Sequence, residues 1–257
     1  MIEYVISGNI DHRILSRSAA LLAEGGLLGL PSDTSWTVAC SLQSGEGIKK
    51  LRRLSGERDE RHFTLLCSDI SQFGELCDMD NTRFRLIKRL SPGPYVFILR
   101  TLLGTEKALG LRRREAGVHI PGHAVPLAVV DALGCPLYSI TAKRTMLSGD
   151  EAGPRKAPAS QSSPDNRDFF VTGDAKIHKR NRLPGHPGAG EAEGQRFELP
   201  PIPEEDLFEG GWELEAIEDL DCILDTGDER PRIFSTILDL TGDEIRLIRP
   251  GAGPWPV

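Results

Sequence analysis

Apolar and polar residues alternate along this chain in short segments of two kinds. Short apolar runs bounded by Gly, Pro, Ser or Asp predict buried strands, and apolar positions three or four residues apart predict helices. The clearest case begins near residue 25, where one apolar run stops at Pro31 and a second resumes at Trp36. Between them lies the polar turn Ser32-Asp33-Thr34. This pattern predicts a strand, a turn and a strand, with three polar side chains at the end of the first strand.

The same patterning predicts an alternation of helices and strands through most of the chain. Helices are expected at about 11–23, 48–54, 70–76, 82–90 and 123–133, and strands at 2–7, 63–67, 95–100, 117–121, 136–142, 221–227, 233–240 and 245–248. Thr241-Gly-Asp243 is a hairpin signal between the last two strands. The alternation predicts an α/β domain of three layers, in which helices flank a largely covered sheet.

Composition changes near Ser148. Eight of the 18 prolines lie between Gly149 and Pro203, in a stretch with little hydrophobic periodicity. A loop this long inside a compact domain is unusual, which favours an insertion or flexible linker over a continuation of the fold. We therefore expect one domain made of residues 1–147 and 204–257, with a flexible Pro/Gly-rich insertion at 148–203.

The overall composition is that of a soluble protein, with 39% hydrophobic and 27% charged residues. No apolar run approaches the length of a membrane span, and the N-terminus has no secretion signal, so we expect a cytoplasmic protein without membrane contact. The net charge of −7 divides into +4 for residues 1–147 and −11 for the remainder. The basic part is suited to attracting phosphate locally, although two solvated faces of opposite charge explain the same counts.

Several common sites are absent from the sequence. There is no phosphate-binding loop and no Gly-x-Gly-x-x-Gly. The five cysteines are odd in number and widely spaced, which indicates reduced core thiols. His119 and His123 stand four apart, but Pro121-Gly122 between them prevents the shared helix face that a metal pair would use. We expect no metal site and no tightly bound metal or organic cofactor.

What remains is a set of polar residues at predicted strand ends. Taken singly, each is an ordinary turn or cap residue. Together with Arg53 and Arg58, they predict a pocket of hydroxyls and cations for an acid or phosphate group. The set consists of Ser32, Asp33, Thr34, Ser139, Thr141, Lys143, Ser235, Thr236 and Arg249.

Six motifs occur in the order seen in YrdC/YciO-like proteins, and the chain resembles that family over about residues 1–147 and 204–253. It resembles the YciO branch most. The motifs are Pro31-Ser-Asp-Thr34, Phe63-Thr-Leu-Leu66, Pro92-Gly-Pro-Tyr95, Val118-His-Ile-Pro121, Pro136-Leu-Tyr-Ser-Ile-Thr141, and Ser235-Thr-Ile-Leu-Asp239 with Arg249-Pro-Gly251. The resemblance implies an α/β (α+β) domain with a twisted mixed sheet around a concave, positively lined cleft.

The resemblance also implies a chemistry. Members of the family make threonylcarbamoyl-AMP from threonine, bicarbonate and ATP, with Mg²⁺, for the modification of tRNA to threonylcarbamoyladenosine. By position, the small substrate would be bound by Ser32, Asp33, Thr34, Thr64, Ser139, Thr141 and Lys143. The nucleotide phosphates would be bound by Arg53, Arg58, His119, Ser235 and Arg249.

The sequence departs from the family pattern mainly where phosphate is expected to bind. The Lys-x-Arg element falls at Ser55-Gly-Glu57, the Ser-x-Asn element at Thr141-Ala-Lys143, and an arginine at His119. A carboxylate in place of a phosphate-binding cation opposes ATP. Two hypotheses therefore stay open: a divergent threonylcarbamoyl-AMP synthase, and a non-catalytic member that binds nucleotide or double-stranded RNA.

Overall fold

The structure is a computed structural model that describes residues 1–55, 64–102, 115–147 and 204–255. The predicted insertion at 148–203 and the candidate Arg58 lie outside the described residues, so the predicted domain boundaries and the flexibility of the insertion stay predictions.

One ten-stranded mixed sheet forms the centre of the fold. Its strands follow the spatial order β1-β8-β2-β3-β7-β4-β6-β5-β9-β10. In chain order they are β1 (Ile2–Tyr4), β2 (Leu28–Pro31), β3 (Trp36–Ser41), β4 (Thr64–Leu66), β5 (Tyr95–Arg100), β6 (Glu115–His119), β7 (Leu137–Thr141), β8 (Cys222–Asp225), β9 (Thr236–Asp239) and β10 (Arg246–Arg249). The last two pair antiparallel, as the hairpin signal predicts.

Five α-helices are described, and side-chain caps define where most of them begin. They are α1 (His12–Ala23), α2 (Gly45–Ser55), α3 (Ile70–Leu76), α4 (Asn81–Leu90) and α5 (Ala124–Leu133). Asp11, Asp69 and Asp80 accept hydrogen bonds from first-turn backbone N–H groups of α1, α3 and α4. His123 does the same for α5, which ends at Gly134 with a left-handed φ of +75°. Residues 144–146, 204–206 and 211–216 form 3-10 helices.

The helices cover both faces of the sheet. Side chains alternate between the faces: Trp36, Val38 and Cys40 of β3 pack in one buried cluster, and Ala39 packs in another. The first cluster includes residues of α2, α3 and α4, and the second includes residues of α1 and α5. The predicted three-layer fold with a twisted mixed sheet is confirmed.

The strand directions require the sheet to curl strongly. From the pairings, β2 runs opposite to β6 and in the same direction as β9. In a flat sheet the end of β2 would therefore lie at the opposite edge from the end of β6 and the start of β9. Instead, Asp33 contacts Gly122, which follows the end of β6, and Thr34 contacts Ser235, which precedes the start of β9. The accumulated strand twist brings these distant edges together and makes one face of the sheet concave.

The two segments that flank the predicted insertion are held against each other. Lys143 pairs with Leu207 through an antiparallel backbone bridge. Arg144 forms an ion pair with Glu213, and its guanidinium lies 5.1 Å from the ring centroid of Phe208. The described segments on either side of residues 148–203 therefore lie next to each other.

Candidate functional site

The carboxylate of Asp33 links the turn after β2 to the residues that follow β6. Asp33 Oδ2 accepts a hydrogen bond from the Gly122 N–H (3.0 Å), and Asp33 Oδ1 accepts one from Ser32 Oγ (2.8 Å). His119 Nε2 lies 3.6 Å from the same Oδ1 and 2.9 Å from the Gly93 carbonyl oxygen. Because a carbonyl only accepts, that ring nitrogen carries a proton. Asp33 thus joins the end of β2 to the end of β6.

This environment keeps Asp33 ionised. Burial alone would raise the pKa of its carboxyl, but the neighbouring His119 ring and the hydrogen bonds from Gly122 and Ser32 outweigh burial and lower the pKa to about 2. At neutral pH the turn therefore carries a fixed negative charge next to a buried imidazole.

A second contact across the curled sheet involves two hydroxyls and a guanidinium. Thr34 Oγ1 lies 3.3 Å from Ser235 Oγ, and both residues are buried. Arg249 donates from Nε (3.3 Å) and Nη2 (3.0 Å) to the Ser235 carbonyl and stacks on the Phe234 ring at 4.7 Å. Burial lowers the pKa of Arg249 to about 10, so the guanidinium stays charged at neutral pH. Among the described residues, no carboxylate forms an ion pair with it.

The floor of the concave face is a row of residues from adjacent strands. Ala39, Ser139, Thr64, Gly117 and Ile98 stand side by side in the register of β3, β7, β4, β6 and β5. Ser139 Oγ donates to the Thr64 carbonyl (2.8 Å). Thr64, Gly117 and Ile98 are half-buried, although their strands lie inside the sheet. The floor is therefore more open over β4, β6 and β5 than over β3 and β7.

Thr37 and Thr141 form the next row of the same face. They are direct partners in β3 and β7, and Thr37 Oγ1 donates to the Ile140 carbonyl (2.7 Å). The concave face thus carries hydroxyls from three neighbouring strands. The turn that carries Asp33 and Thr34 connects β2 to β3, next to the Thr37 end of these rows.

Sequence reasoning missed three residues at this site. Gly122 supplies the N–H that holds Asp33, and Thr37 belongs to the hydroxyl rows. His123 is the third: burial, followed by the charge of Arg230, lowers its pKa, while Asp33 and Asp228 oppose that shift. The strand-to-helix junction at 120–124 was the available signal for Gly122 and His123, whereas nothing in the sequence marks Arg230.

One predicted cation, Arg53, is held away from these contacts, and another, Arg58, is outside the described chain. Arg53 forms an exposed ion pair with Asp219 (3.0 Å), in the segment that leads into β8. Lys143 lies just past β7, in the bridge to Leu207. The roles assigned to Arg53 and Arg58 in phosphate binding and to Lys143 in substrate binding stay predictions.

Other kinds of site are not found in the described parts of the chain. They contain no group of three or more His, Cys, Asp or Glu residues arranged for a metal ion. All five cysteines are free and buried, and burial raises the pKa of Cys40 and Cys77 to about 12. None of the described helices has the length and apolar character needed to cross a bilayer.

Comparison with known proteins shows the family to which the chain belongs. A family model described as "Telomere recombination", which covers Sua5, YciO and YrdC proteins, matches residues 20–182, more than half of the chain. The chain belongs to the Sua5/YciO/YrdC family. Its sequence is 29% identical to the uncharacterised protein YciO of Escherichia coli K12 over 149 residues, which cover 58% of this chain and 71% of YciO. The crystal structure of that YciO superposes with a TM-score of 0.67 at 22% identity, covering 100% and 98% of the two chains.

Two further relatives have names that state a ligand or an activity. The threonylcarbamoyl-AMP synthase of Neisseria gonorrhoeae is 27% identical over 139 residues, covering 51% of this chain and 74% of the synthase. The structure of Pyrococcus abyssi Sua5 complexed with L-threonine has a TM-score of 0.67 at 17% identity, covering 99% and 58% of the two chains. At 22% and 17% sequence identity, the two superpositions show a shared fold. The predicted family and the predicted fold are confirmed.

We expect Asp33→Asn to destabilise the protein in a pH-dependent way. Asp33 has a side chain that is 12% exposed, and its lowered pKa stabilises the folded protein by about 2 kcal/mol at pH 7. This stabilisation is present above the unfolded-state pKa near 3.8 and is lost as pH falls toward about 2. Urea unfolding at pH 7 and at several values down to pH 2.5 measures the difference between variant and wild type.

The matched control is Asp131→Asn, at an exposed aspartate of α5. It should change stability by less than about 0.5 kcal/mol at any pH. A difference between Asp33→Asn and wild type that is small at pH 7, or that does not shrink on acidification, contradicts the role assigned to this carboxylate.

Proposed function

We propose that the concave face binds L-threonine and that the protein is a divergent threonylcarbamoyl-AMP synthase. The observation that carries the proposal is the charged Arg249 guanidinium beside the Thr34 and Ser235 hydroxyls, without a carboxylate partner among the described residues. A half-buried cation of this kind is suited to a carboxylate or phosphate. The synthase relatives and the L-threonine complex of Sua5 support threonine as the small ligand.

The reaction requires two bond-forming steps. The threonine amine first reacts with bicarbonate to give a carbamate and water. A carbamate oxygen then attacks the α-phosphorus of ATP, and the bond to the β-phosphate breaks, so that pyrophosphate leaves. Negative charge accumulates on phosphoryl oxygens in the second step, so catalysis depends on positioned cations and hydrogen-bond donors.

The residues of the cleft have distinct tasks in this scheme. Arg249 neutralises an anionic group, and Thr34 and Ser235 donate or accept hydrogen bonds beside it. Asp33, held ionised by Gly122 and His119, places negative charge where an ammonium group is favoured. Mg²⁺ would enter with ATP as part of the substrate, and it needs no resident protein site.

This protein departs from the family pattern mainly at the residues expected to bind phosphate. Arg53 is already paired with Asp219, and the sequence has Ser55-Gly-Glu57 where the family has Lys-x-Arg. Threonine binding therefore has more support than ATP binding, and the two are measured separately. Calorimetric titration reports threonine binding, and pyrophosphate release with threonine, bicarbonate, Mg²⁺ and ATP reports the complete reaction.

Arg249→Ala is expected to weaken L-threonine binding by about tenfold to a hundredfold, the value of a lost charge-assisted hydrogen bond. Arg246→Ala, three residues earlier on the same strand, removes an exposed arginine and should leave the affinity unchanged. Melting temperatures verify that both variants are folded. Equal affinities for both variants, or no threonine binding by the wild type, would falsify the proposed binding site.

A second candidate function is double-stranded RNA or tRNA binding without catalysis. It is favoured by α4, which has no acidic residue and exposes Arg85, Lys88 and Arg89 on the side of the sheet opposite the concave face. A surface of exposed cations binds phosphate backbones in a salt-dependent manner. This candidate requires no chemistry from the cleft.

For this candidate we expect Lys88→Glu to lower the affinity for duplex RNA several-fold at low salt, and the loss should diminish as salt is raised. The control is Arg13→Glu, an equal charge reversal at an exposed position on α1, on the other side of the sheet. Fluorescence anisotropy with labelled duplex RNA measures both. Wild-type protein that binds no RNA at low salt excludes the candidate, as does an equal effect of the two reversals.

A further inference from the structure

Gly117 occupies an unusual position for a glycine. It lies in β6, the seventh of ten strands in the sheet order, yet it is half-buried rather than buried. Its neighbours Ala116 and Val118 point into the core on the side of α2, α3 and α4. The side chain that Gly117 lacks would therefore project from the opposite, concave face.

The backbone does not require glycine at this position. Gly117 does not have a positive φ, in contrast to Gly134 and Gly227. The φ angle at this position is therefore one that residues with a side chain also adopt, and glycine inside a strand lowers stability because it loses more backbone freedom and packs no side chain. The absence of a side chain has to be explained by what lies on the concave face.

The neighbours of Gly117 on that face are the polar residues of the candidate site. Thr64 is its direct partner in β4 and Ile98 is its partner in β5, and both are half-buried. His119, which contacts Asp33, follows two residues later on the same face, at about 7 Å along the strand. A molecule the size of a free amino acid that reaches the Asp33 turn would lie over Gly117.

We propose that Gly117 is a specificity-determining position of the cleft. Its missing side chain provides the space in which the bound amino acid lies against the backbone of β6, between Thr64 and His119. A side chain at 117 occupies that space and excludes the ligand, while it leaves the core on the other face unchanged. This inference rests on the proposed threonine-binding function and assigns a residue to it that neither the motifs nor the side-chain contacts identify.

The test compares Gly117→Ala and Gly117→Val with the control Gly74→Ala. Gly74 lies in α3 with open space around it, so its replacement adds a methyl group outside the cleft. Both measurements use the full chain: calorimetric titration with L-threonine for affinity, and thermal melting for stability. We expect all three variants to melt at or above the wild-type temperature, since each replaces a glycine in a helix or strand.

The affinities should separate the variants. Gly74→Ala should bind L-threonine as the wild type does, Gly117→Ala at least tenfold more weakly, and Gly117→Val without measurable binding. If folded Gly117→Val binds L-threonine within threefold of the wild type, the inference is overturned. If Gly117→Ala loses affinity only together with a lowered melting temperature, its effect is on the fold, which also overturns it. If the wild type and Gly74→Ala both fail to bind, the proposed function itself fails and this inference with it.

Discussion

The contact between the turn after β2 and the far strands of the sheet is the interaction on which the site depends. The strands on the two sides of this contact would end at opposite edges of a flat sheet, so twist has to accumulate across the strands between them. Asp33 fixes the result, because its carboxylate accepts the Gly122 N–H and lies beside the His119 ring. Through these contacts the turn after β2 is joined to the end of β6.

The same arrangement separates two kinds of chemistry within one cleft. The wall formed by Thr34, Ser235 and Arg249 offers a charged guanidinium with hydroxyls next to it. The floor at Thr64 and Gly117 offers open space with little charge. A small zwitterion suits such a cleft, because its carboxylate is favoured beside the guanidinium and its uncharged atoms are favoured over the uncharged floor. The triphosphate of ATP demands several cations, and the described residues provide fewer of these than of hydroxyls.

Much of the fold could be predicted from the sequence, because periodicity and caps act locally. The helices at 70–76 and 82–90 and the strand at 95–100 are found within one residue of the expected positions. The turn Ser32-Asp33-Thr34 could be located from its flanking apolar runs. The partners of that turn could not, because Gly122 and His123 meet it only through the curl of the sheet. The pairing of Arg53 with Asp219 could not be predicted either, since the partner of a surface charge depends on three-dimensional proximity.

The Asp33 turn, the β6 strand and the start of β9 are proposed to form one ligand-binding cleft. Two-dimensional amide NMR of the labelled protein during titration with L-threonine is the most direct test. The amide signals of Thr34, Gly117, His119 and Ser235 should shift together with a single dissociation constant, while those of Arg85 and Lys88 in α4 should not move. Shifts confined to surfaces outside the cleft, or none at saturating L-threonine, would contradict it.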